Sequence, residues 1–222
     1  MNGWVVCCDF DGTISIPDAV EHLLREFADP HWRTLDDSVW RGELTERQAM
    51  MEQVGLIKVD WPTARESLLR GVRIRDGFVE FTRFCAQRQL PVVILSSGLR
   101  ILIDALLDGV GVHGLDVRAH EVDPLLTGWR LEPYPGPRLK ENCSHCKCVD
   151  VLGFKAAGRS VIYIGDGYTD LCPSAHADLL FATGSLAREC ARAGRAFIPF
   201  ESFHDIERSL SSHLALHPHP AV

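Results

Sequence analysis

Two carboxylates, Asp9 and Asp11, lie close together near the N-terminus in the run DFDGT. The apolar residues 4–8 precede them and predict a buried strand, so both acids follow a strand end, where α/β proteins place their chemistry. Gly12 allows the backbone to turn and bring both side chains into one site. Such a pair can hydrolyse phosphate esters, because one carboxylate can attack phosphorus while the other moves protons. The alternative is an acidic turn that caps a helix.

A second acidic loop, GDGYTD, lies far along the chain and contains Asp166 and Asp170. It follows the apolar residues 161–164, which predict another buried strand. Acidic loops at two strand ends indicate one Mg²⁺ site, because Mg²⁺ binds one or two carboxylates together with waters. Asp166 is the better ligand because it directly follows the strand, whereas Asp170 could bond a metal-bound water or orient a lysine.

Hydroxyl and backbone N–H groups that could hold a phosphoryl oxygen follow a third apolar run. Ser96, Ser97 and Gly98 come directly after the residues VVIL. A hydroxyl next to backbone N–H groups is suited to binding phosphate. Ser and Gly also end many strands that have no such role, so the position between the two acidic loops is what favours the functional interpretation.

A lysine is needed to neutralise the phosphate and the attacking carboxylate. Lys140, Lys147 and Lys155 precede the second acidic loop. Lys147 lies at the start of a predicted helix, 148–157, and helix N-termini favour anions. Lys155 lies near the C-terminal end of that helix, where a solvated lysine is expected. We therefore predict that Lys147 is the catalytic lysine.

The cysteines around Lys147 are a competing signal. Cys143, Cys146 and Cys148 lie beside His145, and such a CxxC cluster could bind zinc or cycle as a disulfide. A zinc site usually needs a second pair of ligands, and none has clear spacing in this sequence. The third interpretation is a loop that positions Lys147.

Composition limits the class of protein. The chain has 222 residues, 46% of them hydrophobic, which is enough for one core domain and a small insertion. No apolar stretch reaches the roughly 18 residues of a membrane helix, and no signal peptide is expected. A net charge of −7 argues against nucleic acid as a partner. Eight cysteines without an export signal predict reduced thiols in the cytoplasm, and the tail after Leu210 is expected to be frayed.

Strands alternate with helices along most of the chain, which predicts an α/β fold with a mainly parallel sheet. Residues 16–74 interrupt this alternation with a helical pattern, in which Thr45 and Gln48 have the spacing of a capping box. We therefore predict a core formed by residues 1–15 and 75–222. A small helical cap, residues 16–74, would be inserted after the first strand and cover the site.

The run DFDGT, Ser96, Lys147 and the run GDGYTD together resemble the four motifs of haloacid dehalogenase superfamily phosphatases. The helical insertion after the first motif resembles the cap of the phosphoserine phosphatase-like branch. Within that branch, a likeness to the phosphatases of methionine salvage runs over nearly the whole chain. It includes residues 74–78, 143–147 and 200–206.

The resemblance implies a Rossmann-like core, an Mg²⁺ cofactor and an aspartyl-phosphate intermediate formed on a small phosphorylated metabolite. It implies that Asp9 is the nucleophile and that Asp11 is the general acid and base. It also implies that Mg²⁺ is held by the Asp9 carboxylate, the Asp11 backbone carbonyl and Asp166. The chain departs from the pattern in its second motif, which reads Ser-Ser-Gly where relatives often have Ser-Gly-Gly.

The cap indicates what kind of substrate is bound. Asp18 lies where phosphoserine phosphatases carry a Glu that meets the substrate's amino group, so it is a substrate-binding candidate. The helix at residues 44–54 offers only Arg47 as a partner for a substrate carboxylate, and an unpaired buried charge is costly. Met50 and Met51 could accept a thioether or could be plain core. We therefore predict a weakly polar, carbonyl-bearing phosphate ester, with phosphoserine hydrolysis, phosphotransfer and a non-catalytic zinc module as alternatives.

Overall fold

The computed structural model describes residues 3–139 and 141–216. The described strands form a seven-stranded sheet and a separate two-stranded one. In chain order the strands are β1 Trp4–Cys8, β2 Ser15–Ile16, β3 Arg73–Ile74, β4 Val92–Leu99, β5 Asp116–Asp123, β6 Arg130–Glu132, β7 Ser160–Gly165, β8 Leu179–Ala182 and β9 Ile198–Pro199.

The large sheet has β1 near its centre and the strand order β6-β5-β4-β1-β7-β8-β9. All neighbouring pairs are parallel except β5 and β6. The chain builds outward from β1 first through β4 and later through β7, so the strand order reverses at β1. A crevice forms at the carboxyl ends of the strands at such a switch point, and ligands bind there. The predicted α/β fold with a mainly parallel sheet is confirmed.

Helices cover both faces of this sheet because its central strands are apolar on both faces. Val6 and Ile162 pack into one apolar cluster, whereas their neighbours Val5 and Val161 pack into the other. None of the described helices is both long and apolar enough to cross a membrane. The helices are α1 Ala19–Phe27, α2 Trp32–Trp40, α3 Glu46–Gly55, α4 Trp61–Gly71, α5 Phe78–Gln87, α6 Arg100–Gly109, α7 Lys147–Ala156, α8 Leu171–Ser174, α9 Gly184–Arg192 and α10 Phe203–Leu216, with a 3₁₀ turn at Tyr168–Asp170.

Helices α1 to α4 form the segment inserted between β2 and β3. These two short strands pair antiparallel, so the chain leaves the core and returns to it at one place. Asp18 begins α1 by accepting a hydrogen bond from the Glu21 N–H at 2.8 Å. The predicted capping box of Thr45 and Gln48 begins α3 and is confirmed. The division of the chain into a core domain and a cap domain stays a prediction.

Two elements are longer than the sequence pattern predicts. β4 continues from the predicted end at Leu95 to Leu99, with a shift of register between these residues, so the second motif lies within the strand. The predicted fraying after Leu210 is wrong as far as Leu216, because α10 continues there. The ring of His213 packs edge-on against Trp4 at 5.7 Å between centroids. The rest of the tail lies outside the described residues.

Candidate active site

The segments at the carboxyl ends of β1, β4 and β7 meet at one edge of the sheet, because β4 and β7 pair with β1 on its two sides. Together with the inserted helices they surround a cavity of about 440 Å³. The structure brings almost all the predicted site residues into its wall. These are Asp9, Asp11, Asp18, Ser96, Ser97, Gly98, Lys147 and Asp166.

Lys147 connects the first and last motifs. It is the first residue of α7, and its buried ammonium lies 2.5 Å from Asp9 Oδ1 and 2.8 Å from Asp170 Oδ1. Burial opposes the charge on the lysine, but the two carboxylates outweigh burial and raise the pKa of Lys147 above its ordinary value. Lys147 is therefore a fixed positive charge beside the Asp9 carboxylate.

Asp170, which does not line the cavity, is fully occupied by hydrogen-bond donors. Its Oδ1 accepts from Lys147 and from the Tyr163 hydroxyl at 2.7 Å. Its Oδ2 accepts from the backbone N–H groups of Asp166 and Gly167 at 3.1 and 3.0 Å. A carboxylate with four donors has little capacity left for a metal. Asp170 instead holds the lysine and the loop that carries Asp166.

Asp9 and Asp166 remain as side-chain ligands for a cation. Within the described part of the chain, Asp9, Asp166 and Asp170 form a group whose carboxylate oxygens lie within 4.8 Å of one another. Burial, followed by the negative charge of Asp170, raises the pKa of both Asp9 and Asp166. A divalent cation would offset both effects, and Mg²⁺ prefers such carboxylate oxygens. The donor set therefore fits Mg²⁺.

Asp11 is held by groups different from those that hold Asp9. Its Oδ1 accepts from the Ala19 N–H at the start of α1, at 2.9 Å, and its Oδ2 accepts from Ser96 Oγ at 3.2 Å. Burial raises the pKa of Asp11, although these hydrogen bonds oppose the rise. A carboxyl group that can carry a proton at the wall of the cavity is suited to proton transfer.

The second motif presents a compact polar surface to the cavity. Ser96 Oγ accepts a hydrogen bond from the Gly98 N–H at 2.8 Å. Ser97 Oγ is buried and has no hydrogen-bond partner among the described residues. A buried hydroxyl normally has a partner, so an oxygen-bearing ligand at this position would satisfy it.

The inserted helices supply the opposite wall. Asp18 lines the cavity, and burial together with the charge of Asp11 raises its pKa. Met50 also lines the cavity, but Met51 is 45% exposed and does not. Arg47 is likewise absent from the lining. The remaining lining residues of this wall are Val20, Glu21, Leu24, Trp32, Asp36 and Gln53.

Lys155 and the cysteine cluster do not line this cavity. Lys155 pairs with Asp178 at 2.6 Å, and both side chains are about one-third exposed. Lys140 lies outside the described residues. Cys146 immediately precedes α7, and burial raises the pKa of Cys143 to about 11. The cysteine loop therefore leads directly into the helix that begins with Lys147.

Three positioning residues were not predicted from the sequence. Thr13 Oγ1 donates to Asp166 Oδ1 at 2.8 Å, and Tyr163 supports Asp170 as described above. The Arg75 guanidinium donates to the backbone oxygens of Gly12 and Thr13, at 2.5 and 2.6 Å. Thr13 belongs to the first motif, so its hydroxyl was a visible signal. The partners of Arg75 lie more than sixty residues away in the chain, and no local pattern reveals them.

Comparison with known proteins gives a consistent result. A sequence profile of the haloacid dehalogenase-like hydrolases matches residues 6–172. A protein of Bacillus pumilus (strain SAFR-032) is 30% identical over 206 residues, covering 91% of this chain and 89% of that protein. A protein of Bacillus velezensis (strain DSM 23117 / BGSC 10A6 / LMG 26770 / FZB42) is 27% identical over 216 residues, covering 94% of this chain and 90% of that protein. Both are named 2-hydroxy-3-keto-5-methylthiopentenyl-1-phosphate phosphatase.

Solved structures of phosphoserine phosphatase share the fold. One, a phospho-aspartyl intermediate analogue, superposes with a TM-score of 0.69 at 19% identity, covering 94% of this chain and 99% of that one. Another, a substrate-bound complex, gives a TM-score of 0.67 at 18% identity, covering 94% and 98%. At these identities the likeness shows a common fold and does not extend to the substrate.

Proposed function

Because the chain belongs to the haloacid dehalogenase-like hydrolase family, we propose that it hydrolyses a small phosphate monoester through an aspartyl-phosphate on Asp9. The family and the enzyme class predicted from the sequence, a phosphoric monoester hydrolase, are confirmed. One observation carries the proposed mechanism: Asp9, Asp11, Ser96 and Lys147 converge on a single cavity, with Asp166 in the same wall.

Asp9 and Asp11 divide the reaction between them. In the first step an Asp9 oxygen bonds to phosphorus while the bond from phosphorus to the ester oxygen breaks, and Asp11 gives its proton to that oxygen. In the second step water attacks phosphorus, Asp11 takes a proton from the water, and the bond between Asp9 and phosphorus breaks. Inorganic phosphate leaves and both carboxyl groups return to their starting states. Lys147, fixed by Asp170, neutralises charge at Asp9 throughout.

Mg²⁺ is the cation that these residues would hold. The Asp9 and Asp166 carboxylates and the Asp11 backbone carbonyl are the proposed ligands, supported by the close approach of the carboxylates and the family likeness. When bound, Mg²⁺ supplies positive charge that draws the phosphoryl oxygens toward Asp9. A methyl group on Gly12 would lie 2.5 Å from Asp166 Oδ2. The absence of a side chain at Gly12 therefore leaves room for the Asp166 carboxylate.

The proposed substrate is 2-hydroxy-3-keto-5-methylthiopentenyl-1-phosphate, the compound in the names of the two Bacillus relatives. Among the described residues that line the cavity, Lys147 is the one Lys or Arg, and two carboxylates already bind it. A substrate carboxylate would therefore find no cationic partner. Trp32 and Met50 offer apolar surface for a thioether, and Asp18 can accept a hydrogen bond from a hydroxyl. No disulfide joins the eight cysteines in the described part of the chain, which supports the proposed cytoplasmic location.

A panel of phosphate esters tests this proposal. Released phosphate is measured for the keto-enol phosphate, for phosphoserine and for simple alkyl phosphates, with Mg²⁺ and with chelator. We expect activity only with Mg²⁺, and a kcat/KM about 10²-fold higher for the keto-enol phosphate than for phosphoserine, because an unpaired carboxylate costs a few kcal/mol. A higher value for phosphoserine would overturn the substrate and leave the mechanism intact.

The same preparation separates the remaining alternatives. Adding an alcohol such as glycerol shows whether the phosphoryl group passes to water or to another hydroxyl. Elemental analysis of protein purified without chelator tests the zinc-binding module, for which we expect less than about one zinc per chain. A firmly held zinc that is lost on Cys143→Ser or Cys146→Ser, in a protein without phosphatase activity, would support the module instead.

A further inference from the structure

His145 lies directly behind the second motif and has no role in the chemistry described above. Its side chain is buried between the sheet and the start of α7, with the residue 6% exposed. Its Nδ1 lies 2.9 Å from the backbone oxygen of Ser96, and its Nε2 lies 2.8 Å from Asp150 Oδ2. The imidazole therefore joins the strand that carries the second motif to the helix that carries Lys147.

Both partners of this imidazole accept hydrogen bonds. The Ser96 carbonyl oxygen can only accept, so Nδ1 must carry a proton. Asp150 is an ionised acceptor, because Arg118 Nη1 lies 2.5 Å from its other oxygen. Hydrogen bonds from His145 and Arg118 outweigh burial and lower the pKa of Asp150. Nε2 must therefore carry a proton as well, which makes the ring a cation.

The other groups around the ring are consistent with this charge. Tyr134 packs against His145 with ring centroids 4.5 Å apart, and His120 on β5 lies 6.3 Å away. His120 Nδ1 accepts the Tyr134 backbone N–H at 2.8 Å. Burial and the charge of His145 lower the pKa of His120 to about 4. His120 is neutral near pH 7 and does not compete for the proton or for Asp150.

We propose that His145 is a protonated imidazolium that positions and polarises the peptide between Ser96 and Ser97 for phosphate binding. A cation bonded to the Ser96 carbonyl draws electrons from that peptide and makes the Ser97 N–H a stronger donor. Ser97 lines the cavity, and its buried hydroxyl lacks a partner among the described residues. The inference rests on the proposed function for its effect on rate, but the charge of His145 can be measured without turnover.

Nitrogen NMR tests the charge directly. In protein labelled with ¹⁵N-histidine, the His145 signals are identified by their loss in His145→Gln. We expect both ring nitrogens to be protonated at pH 7. A single neutral tautomer at pH 7 would overturn the proposal, whether or not the protein hydrolyses any phosphate ester.

Asp150→Asn removes the charge while keeping the hydrogen bonds. The Asn oxygen can still accept from Arg118, and the Asn amide can donate to His145 Nε2. The ring then becomes neutral, and its Nδ1–H still donates to the Ser96 carbonyl oxygen. We expect one ring nitrogen to lose its proton and kcat/KM to fall about fivefold, the difference between a charge-assisted and a neutral hydrogen bond. The inhibition constant for inorganic phosphate should rise by a similar factor.

The exposed pair His113 and Asp108, 3.1 Å apart, is the matched control. Asp108→Asn makes the same substitution beside an exposed histidine and should leave kcat/KM and the inhibition constant for phosphate unchanged. If Asp150→Asn neutralises His145 without altering the kinetic constants, the polarising role is wrong. If both ring nitrogens of His145 stay protonated in Asp150→Asn, the Asp150 carboxylate is not what keeps Nε2 protonated, and the proposed origin of the charge is wrong.

Discussion

Replacing Gly98 with Ala gives a sharp test of the site, because it disturbs one carboxylate. A methyl group on Gly98 would lie 2.2 Å from Asp11 Oδ2 and 3.1 Å from Ser96 Oγ. Ordinary contact distances then require the Asp11 carboxylate to move by about 1 Å. That movement breaks its hydrogen bonds to Ala19 and Ser96. A misplacement of about 1 Å can lower a rate about 10²-fold, which is the loss expected here.

The substitution should leave the fold intact. The clash involves the end of the Asp11 side chain, and Gly98 does not have the left-handed backbone conformation that would strain an alanine. Gly153→Ala is the matched control, because a methyl group there meets nothing within 4 Å. Gly153 lies in α7, where alanine should raise the free energy of unfolding by about 0.5–1 kcal/mol. Its turnover should equal that of the parent.

The assay compares two leaving groups. An alkyl phosphate needs a proton from Asp11 as its alcohol leaves, whereas p-nitrophenyl phosphate has a stable leaving anion and needs the proton less. We compare kcat/KM, which reports the first step, because Asp11 also acts on water in the second step, which both substrates share. Gly98→Ala should lower kcat/KM about 10²-fold for the alkyl ester and much less for the nitrophenyl ester. An equal loss of kcat/KM on both substrates, or a loss below about fivefold on the alkyl ester, would show that Asp11 is not the proton donor in this geometry.

Three other changes should have measurable effects. Asp9→Asn should abolish phosphate release, because an amide cannot attack phosphorus. Lys147→Ala should abolish turnover and lower the free energy of unfolding by about 3–5 kcal/mol, since it leaves two buried carboxylates without their cation. Lys155→Ala should leave turnover unchanged and lower the free energy of unfolding by at most about 1 kcal/mol. The pKa of His120 is lowered to about 4 in the folded protein. As pH falls, its imidazole therefore takes up a proton in the unfolded state at a higher pH than in the folded state. The contribution of His120 to stability is therefore full above about pH 6.5 and falls by about 3 kcal/mol toward pH 4, and His120→Asn should remove this part of the pH dependence.

Each of these expectations can fail separately. Turnover by a folded Asp9→Asn protein would remove Asp9 as the nucleophile. Inactivity of Lys155→Ala with activity in Lys147→Ala would reverse the assignment of the lysine. Denaturant unfolding measured from pH 4 to pH 7 decides the third case, because equal slopes for the parent and His120→Asn would show that His120 has the same pKa in both states.

The positions of the acidic motifs could be predicted from the sequence because they depend on short-range patterns. An apolar run followed by acids marks a strand end, and parallel strand ends meet at one edge of the sheet. Asp9 and Asp166 are far apart in the chain, yet this rule was sufficient to bring them together. The position of Lys147 followed in the same way from a helix start.

The partners of those residues could not be predicted, because they depend on packing between distant segments. Arg75 and Tyr163 each hold a motif in place, and neither lies in a pattern that marks a partner. The cysteines are the visible pattern of the loop around His145, and no local pattern marks its imidazole as a contact of the second motif. Met50 lines the cavity, whereas its neighbour Met51 does not. This difference depends on which face of α3 is turned toward the core.

The charge of the cavity connects the composition of the chain to its chemistry. Asp9, Asp11, Asp18 and Asp166 all line the cavity, and burial raises the pKa of each one. Lys147 is shared between Asp9 and Asp170, so it cannot by itself offset an incoming phosphate dianion. Binding of phosphate, and not only its transfer, should therefore require a divalent cation. Calorimetry with inorganic phosphate should show binding with Mg²⁺ and none with chelator, and equal affinity in both would contradict this account of the site.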